Sequence, residues 1–182
     1  MAQLAGKTLA DDAEVVDLVN VTPQDLAPLA ALTRLRELRL AFTNPHRTPV
    51  SLPLDLAPLS QLNRLEVIEL PKLSVRDLGP LRNLPRLREL NLNGTQVSDL
   101  SPLRDSDQLR ILRLRKTKVQ DLEPLRGLAG LKVLDVAHTP VTDLSPLEGL
   151  RELEELHIAG TAVTPEQVAA LKKAIQGIEI NL

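Results

Sequence analysis

The chain has 182 residues with 22 basic and 24 acidic side chains, a near balance that leaves no net field to attract nucleic acid or an anionic membrane. It has no cysteine, which excludes disulfides, thiolate catalysis and cysteine-ligated metals. Aromatic residues make up 1% of the chain, so the core must be aliphatic. The N-terminal stretch MAQLAGKTLADDAEVV lacks the apolar segment of a secretory signal, and no apolar run approaches the ~18 residues of a membrane span. We therefore expect a soluble cytoplasmic protein, with secretion by a non-classical route left open.

The N-terminal region is predicted to be an irregular cap followed by a first strand. Val16 and Leu18 lie 22 residues before a similar apolar pair, which predicts a strand over residues 15–19. Residues 8–13 are expected to form a short helix that shields the end of the core, because terminal repeats commonly depart from the repeat pattern.

Residues 43–54 are predicted to form a surface loop. They read TNPHRTPVSLPL, with three prolines, and they make the first repeat, 25–54, longer than the units that follow. Surplus residues in a repeat fold form a loop on its edge, where binding function is often found. Phe42, the single aromatic residue, directly precedes the loop. A neutral insertion is the alternative interpretation.

From residue 55 onward the chain repeats every 22 residues. Each unit follows the pattern D-L-x-P-L-x-x-L-x-x-L-x-x-L-x-L-x-x-T-x-V-x. The apolar alternation at Leu90 and Leu92 predicts a short strand with one buried face. The proline near the start of each unit suits the first turn of a short 3-10 segment rather than a long helix. Five aspartates mark the repeat: Asp55, Asp77, Asp99, Asp121 and Asp143.

One such unit cannot bury its apolar side, so neighbouring units must stack and their strands must form a parallel sheet. The pattern resembles the leucine-rich repeat proteins of the 22-residue, internalin-like class over roughly residues 15–182. The resemblance implies a bacterial α/β solenoid, a curved horseshoe-type right-handed coil. About eight short strands lie on its concave face, and 3-10 or turn segments lie on its convex face. The usual corner Asn of the family is Thr here, and a Thr hydroxyl bonds the local backbone more weakly.

The C-terminal segment is predicted to close the stack with a helix and a last strand. Residues 164–167 combine an N-cap threonine, a proline at the first helical position and a capping-box glutamine. A helix over about 165–176 is expected to end at Gly177. Ile178 and Ile180 lie 22 residues after Leu156 and Ile158, which predicts a last strand whose edge is exposed. The predicted division is 1–24 for the cap and first strand, 25–164 for six repeats and 165–182 for the capping helix and last strand, all in one domain.

Ser106 occupies a position where every other full unit has leucine. A missing buried leucine typically costs ~2–5 kcal/mol when the surroundings cannot collapse. We therefore predict that residues 105–108 form a locally loosened convex segment, whose amides exchange faster than those of the neighbouring units.

The concave face is the surface available for binding. Eight strands ~4.8 Å apart give a face roughly 35 Å long, enough for a standard protein interface. Its central column is predicted to be Asp17, Arg39, Glu69, Asn91, Arg113, Asp135, His157 and Glu179. The side chains of the column can pair with one another across the strands, which would make the column a self-satisfied polar ladder. Alternatively they can bind a partner segment, which would make the column a recognition strip. The residues expected to contact a partner, together with the 43–54 loop, are Arg39, Phe42, Glu69, Asn91, Asn93, Arg113, Arg115, Asp135 and His157.

The family resemblance implies a non-catalytic protein–protein interaction module without a cofactor or metal. Asp135, His138 and His157 could approach one another, as a metal site or a general base would require. No cysteine, phosphate-binding glycine loop or nucleophilic serine turn accompanies them, so a surface Asp–His contact is the preferred interpretation. The alternative role is the targeting part of a bacterial effector or signalling protein whose catalysis is supplied by another domain or partner.

Cationic residues concentrate in the middle repeats, which indicates either a solvated face or a partner with an acidic patch. Arg88, Arg110 and Lys132 occupy equivalent positions and are expected to stack into a basic stripe. Nucleic acid is disfavoured as a partner because aromatic residues for base stacking are missing. The protein is expected to be a monomer, with self-association through the terminal edge strand as the alternative.

Overall fold

The computed structural model describes residues 2–4, 6–19, 26–41 and 53–182. Its main element is a sheet of eight short parallel strands that follow one another in chain order. A separate two-stranded antiparallel hairpin precedes the sheet. The strands are β1 (Ala2–Leu4), β2 (Lys7–Leu9), β3 (Val15–Val19), β4 (Glu37–Ala41), β5 (Val67–Glu69), β6 (Glu89–Asn91), β7 (Ile111–Arg113), β8 (Val133–Asp135), β9 (Glu155–His157) and β10 (Glu179–Asn181).

The register of the sheet stacks equivalent residues of successive repeats. Leu90 of β6 lies between Ile68 of β5 and Leu112 of β7, and all three are fully buried. The residues on either side of each buried leucine therefore project to the opposite, concave face, because side chains alternate along a strand. This arrangement confirms the predicted parallel solenoid sheet and the predicted strand at residues 15–19.

The return segments contain short 3-10 turns, as the proline spacing predicted. Each turn has a proline within its first two positions, where the missing N–H group costs no hydrogen bond. The aspartate that opens the repeat caps the turn: Asp99 Oδ1 accepts a 2.8 Å bond from the N–H of Ser101. The turns are Ala27–Ala31, Ala57–Leu59, Gly79–Leu81, Ser101–Leu103, Glu123–Leu125 and Ser145–Leu147.

The corner after each of β6, β7, β8 and β9 is held by a threonine, whereas Leu73 stands at this position after β5. Thr95 Oγ1 donates a 2.7 Å hydrogen bond to the carbonyl of Leu92, and Thr117 Oγ1 bonds the carbonyl of Leu114 in the same way. The corner hydroxyl therefore binds local backbone, as expected.

Leucines from all repeats form one continuous aliphatic core. Ser106 lies in this row between Leu84 and Leu128 and is 7% exposed. Its N–H group donates to the Leu103 carbonyl at 3.0 Å and its own carbonyl accepts from Leu109 at 2.9 Å. The turn geometry is thus retained around the serine, and the predicted faster exchange of residues 105–108 stays a prediction.

The N-terminal cap differs from the helix expected over residues 8–13. Strands β1 and β2 form an antiparallel hairpin instead, with Ala2 opposite Leu9. Gly6 allows the reversal because its φ of 79° lies in the left-handed region. Leu4 of β1 is 1% exposed and covers the end of the core, so a strand provides the shielding expected of the helix.

The C-terminal helix α1 spans Pro165–Ala174, and its capping box between Thr164 and Gln167 confirms the predicted helix start. The predicted register of β10 is wrong. Ile180 pairs with Leu156, and Asn181 pairs with His157, so the strand lies 24 residues after β9 rather than 22. The full helix and the left-handed turn at Gly177 use two more residues than a 3-10 return. Asn181 rather than Glu179 therefore continues the central column.

None of the helices in the described ranges has the length and apolar character needed to cross a membrane.

Candidate functional site

The concave face carries the predicted central column. Each member is paired with the member on the next strand, from Asp17 beside Arg39 to Asp135 beside His157. Asp135 is 8% exposed. The column members with partly exposed side chains are Arg39, Glu69, Asn91, Arg113 and His157. The strand register therefore brings together seven predicted residues: Asp17, Arg39, Glu69, Asn91, Arg113, Asp135 and His157.

The N-terminal part of the column is internally paired. The Arg39 guanidinium donates to Glu37 on its own strand and, through Nε at 3.4 Å, to Glu69 on β5. The hydrogen bond from Arg39 to Glu37 is the largest cause that raises the pKa of Arg39. This part of the face fits the interpretation as a self-satisfied polar ladder.

Asp135 is also satisfied, but by residues of the neighbouring column. Its Oδ1 accepts from the N–H of Ala137 at 3.0 Å, and its Oδ2 accepts from Arg115 Nε at 3.1 Å. His157 lies beside Asp135 across the strands, as expected, yet its Nε2 lies 3.6 Å from Glu155 Oε2 instead. The Asp135 carboxylate therefore fixes Arg115 rather than orienting a histidine.

The middle of the column is open. Arg113 forms no ion pair and no side-chain hydrogen bond with any residue in the described ranges, although it is only partly exposed. Asn91 Oδ1 accepts from the N–H of Asn93 at 3.1 Å, which leaves the amide nitrogen of Asn91 as a donor. The ladder is thus closed at its flanks and offers hydrogen-bond donors at its centre.

Apolar side chains accompany these donors on the same face. Val67 of β5, Ile111 of β7 and Val133 of β8 occupy equivalent positions, and Glu89 of β6 lies between Val67 and Ile111. All three apolar side chains are partly exposed. Ile111 lies two residues before Arg113 on β7. The centre of the concave face therefore combines apolar surface with unpaired donors.

A groove runs beside the central column, at the corner where the strands end. It has a volume of about 450 Å³ and is lined by residues of two adjacent rows. The row next to the strands contributes Ala41, Pro71, Asn93 and Arg115, and the corner row contributes Lys72, Gly94, Lys116 and His138.

The corner row was missed by sequence reasoning. Its backbone is left-handed at every described position of the row, with φ of 61° at Lys72, 57° at Lys116 and 57° at His138. Gly94 and Gly160 hold the same conformation, with φ of 72° and 69°. The two glycines, at a multiple of the repeat length from each other, were the available signal, because glycine is the usual residue at such positions.

The expected basic stripe forms, but it is neutralised at both ends. Arg88, Arg110 and Lys132 stack on one another through their backbones. Lys132 Nζ lies 2.7 Å from Glu154 Oε1, and Arg88 lies 4.0 Å from Glu66. Glu66 is bonded mainly by Arg36, which lowers the pKa of Glu66.

Phe42 and residues 43–52 of the predicted loop lie outside the described residues. Leu54, at the end of that segment, is buried and donates its N–H to the Ser74 carbonyl at 2.9 Å. Among the residues that the structure describes, no group of three or more histidine, aspartate or glutamate side chains is arranged to hold a metal ion.

Comparisons with known proteins find similarity to leucine-rich repeat proteins and internalins. A family model for two copies of leucine-rich repeats matches residues 107–149. An internalin from Listeria monocytogenes superposes with a TM-score of 0.77 at 25% identity, covering 92% of this chain and 46% of that protein. No curated protein matches the sequence significantly.

Two further solved structures share the fold at lower identity. Internalin C2 from Listeria monocytogenes has a TM-score of 0.72 at 22% identity, over 93% of this chain and 80% of that protein. A leucine-rich repeat protein from Leptospira interrogans has a TM-score of 0.75 at 22% identity, over 90% of this chain and 40% of that protein. The chain therefore spans less than half the length of two of these three neighbours.

Proposed function

Because the chain is a leucine-rich repeat protein of the internalin-like type, we propose that it is a non-catalytic module that binds a protein partner through its concave face. This fold generally serves as a scaffold for protein interactions. The observation that carries the proposal is the open centre of the face, where Arg113 and Asn91 have donors that no described residue uses.

The chemistry of this centre supports an interface rather than a solvated ladder. The cores of protein interfaces combine apolar area with arginine and a few hydrogen bonds. Ile111 and Val133 supply apolar area beside Arg113, while Arg39 and Asp135 are held by neighbours at the flanks. A partner would gain most by covering β6, β7 and β8.

The partner proposed here presents an acidic patch to the middle repeats. Arg113 ends β7 and Arg115 lies two residues later; Asp135 bonds only Nε of Arg115, and no described residue bonds its terminal guanidinium nitrogens. Arg39, Phe42, Glu69, Asn93, His157 and the 43–54 loop remain part of the proposed contact surface.

Affinity capture from an extract of the source organism tests this proposal. The immobilised wild type is compared with Arg113→Glu and with a convex control, Arg104→Glu, which reverses an exposed charge after a 3-10 turn. Removal of a central interface arginine commonly costs more than about 2 kcal/mol, so capture of the partner should fall roughly thirty-fold or more with Arg113→Glu. Arg104→Glu should capture as the wild type does. Equal capture by all three proteins would contradict the proposed face.

A second candidate role is the recognition part of a bacterial effector or signalling protein whose catalysis lies in another domain or partner. The observation that favours it is that two structural neighbours are more than twice as long as the region they share with this chain. Immunoblotting of the native protein tests it: a mass near 20.0 kDa would argue against a longer native chain.

A cytoplasmic location and a monomeric state belong to the proposal as well. Cell fractionation tests the first. Light scattering at several concentrations tests the second, and a mass that rises with concentration would point to pairing through the edge of β10.

A further inference from the structure

The corner groove is a cationic channel beside the central column, and it shares Asn93 and Arg115 with the proposed contact surface. Its lining residues span the repeats from Ala41 to His138, and none of them is acidic. Lys72, Arg115 and Lys116 contribute three positive charges. Lys72 and Lys116 form no ion pair with any described residue. Arg115 is paired with Asp135, whereas the charges of Lys72 and Lys116 are left unpaired by the described residues.

The side chains of Asn93, Lys72 and Lys116 offer hydrogen-bond donors at the groove. Asn93 Oδ1 accepts the N–H of Arg115 at 2.8 Å, so the amide nitrogen of Asn93 is the part left for a ligand. The backbone carbonyls of Asn93 and Arg115 accept the N–H groups of Lys72 and Gly94 at 2.7 Å each. A ligand that fits this groove must supply both acceptors and negative charge.

The backbone of the corner row gives a second, independent reason to assign a function. L-residues rarely adopt a left-handed backbone, and Gly94 occupies the equivalent position between Lys72 and Lys116. Glycine at the two lysine positions would avoid this strain, so stability does not favour lysine there. A Cβ placed on Gly94 would lie 3.3 Å from Lys72 Cγ, so the stem of Lys72 lies along the groove over the next repeat.

The spacing of the two lysines selects the form of the ligand. They are two repeats apart, roughly 10 Å at the strand spacing of a sheet. Three residues of an extended polyproline II segment also cover roughly 10 Å, because it rises ~3.1 Å per residue, and its three-residue turn places side chains three positions apart on one face. Two carboxylates three positions apart can therefore each meet one lysine, while the peptide carbonyls between them face the donors of Asn93 and Arg115.

We propose that the corner groove binds an extended acidic segment of a protein, with carboxylates three residues apart at Lys72 and Lys116. The ligand is a protein segment rather than a nucleic acid strand because, among the described residues, no Phe, Tyr or Trp lines the groove to stack on bases. The inference rests on the proposed function in taking the ligand to be part of a protein, and it assigns that part to the corner rather than to the central column.

Fluorescence anisotropy tests the proposal with the full chain and a synthetic probe. The probe is a fluorescein-labelled peptide of about twelve serine and threonine residues with two glutamates three positions apart. The double variant Lys72→Gly with Lys116→Gly removes both charges and relaxes both corners, so it is expected to fold at least as well as the wild type. Loss of two charge-assisted contacts should weaken binding of the probe about ten-fold or more at low salt.

Two controls sharpen the result. Lys118→Gln removes an exposed charge of the same repeat outside the groove and should bind the probe as the wild type does. The same peptide with glutamines in place of glutamates should bind at least about ten-fold more weakly. The proposal is overturned if the double glycine variant binds like the wild type, if the glutamine peptide binds equally well, or if single-stranded DNA of similar length binds more tightly than the probe.

The two proposals fail in different ways. If Arg113→Glu leaves capture of the native partner unchanged but the double glycine variant loses the probe, the central contact is wrong and the groove stands. If the double glycine variant keeps the probe while Arg113→Glu loses the partner, the groove is wrong and the central contact stands.

Discussion

Ser106→Leu is predicted to stabilise the protein by filling the one interruption in the convex leucine row of the full 22-residue repeats. The backbone at Ser106 already has the conformation of a leucine position, since its turn hydrogen bonds at 3.0 and 2.9 Å match those at Leu128. Its neighbours in the stack, Leu84 and Leu128, are 4% and 1% exposed, so a leucine between them would be buried. The Ser106 hydroxyl makes no hydrogen bond with a described residue, so its removal costs no internal bond.

The magnitude follows from the apolar groups added. Leucine places two to three more carbons in the row, each worth about 0.8 kcal/mol when buried, which gives a gain of about 2 kcal/mol. For a domain of this size each kcal/mol shifts the melting temperature by about 2–4 °C, so Ser106→Leu should raise it by about 4–8 °C. Thermal unfolding by circular dichroism measures the shift, and urea unfolding gives the free energy independently.

Ser106→Ala is the matched control, because it removes the hydroxyl without filling the space and should change stability by less than about 0.5 kcal/mol. In Ser106→Leu the amide of Leu109, which donates to the residue 106 carbonyl, should also exchange more slowly. A Ser106→Leu protein that melts at or below the wild-type temperature would contradict the expected stabilisation. It would mean that the core has closed around the serine and that the leucine overpacks it.

Three other predictions concern the repeat corners and caps. Hydrogen bonds from Ser101 and Ser145 lower the pKa of Asp99 and Asp143, so their contribution to stability is present above the ordinary pKa of 3.8 and is lost as pH falls through the lower folded value. Asp99→Asn with Asp143→Asn should therefore flatten the fall of the melting temperature below about pH 4. Thr117→Val removes a buried 2.7 Å bond to the Leu114 carbonyl and should cost about 1 kcal/mol in urea unfolding; no loss would mean that the corner hydroxyls are dispensable. Thr164→Ala removes the capping box of α1 and should also cost about 1 kcal/mol, whereas Thr164→Ser should cost little.

The repeat made much of this fold predictable from the sequence. A fixed period of 22 residues places most of the leucines and corner threonines and all of the turn prolines from residue 55 to residue 164, because each unit is buried only by its neighbours. The prediction failed where the period ends. The N-terminal cap became a hairpin because Gly6 supplies a tight reversal, and β10 slipped by two residues because α1 is longer than the 3-10 turns it replaces. Such ends are set by packing against one neighbour rather than two.

The candidate site was predictable in position but not in pairing. Strand periodicity put Arg113 and Asp135 on one face, as the register shows. It could not give the hydrogen bond from Arg115 to Asp135, since long side chains reach diagonally and their rotamers depend on the whole neighbourhood. The corner groove was not predicted because Lys72 and Lys116 have a left-handed backbone, a conformation that is usually recognised in a sequence by glycine.

Hydrogen–deuterium exchange of the captured partner complex is the decisive measurement for binding through the concave face, because it reports which face the partner covers. On binding, exchange should slow in β6, β7 and β8 and in the corner residues that follow them, while the 3-10 turns of the convex face should stay unchanged. Protection confined to those turns or to α1, with β6–β8 exchanging as in the free protein, would contradict binding through the concave face.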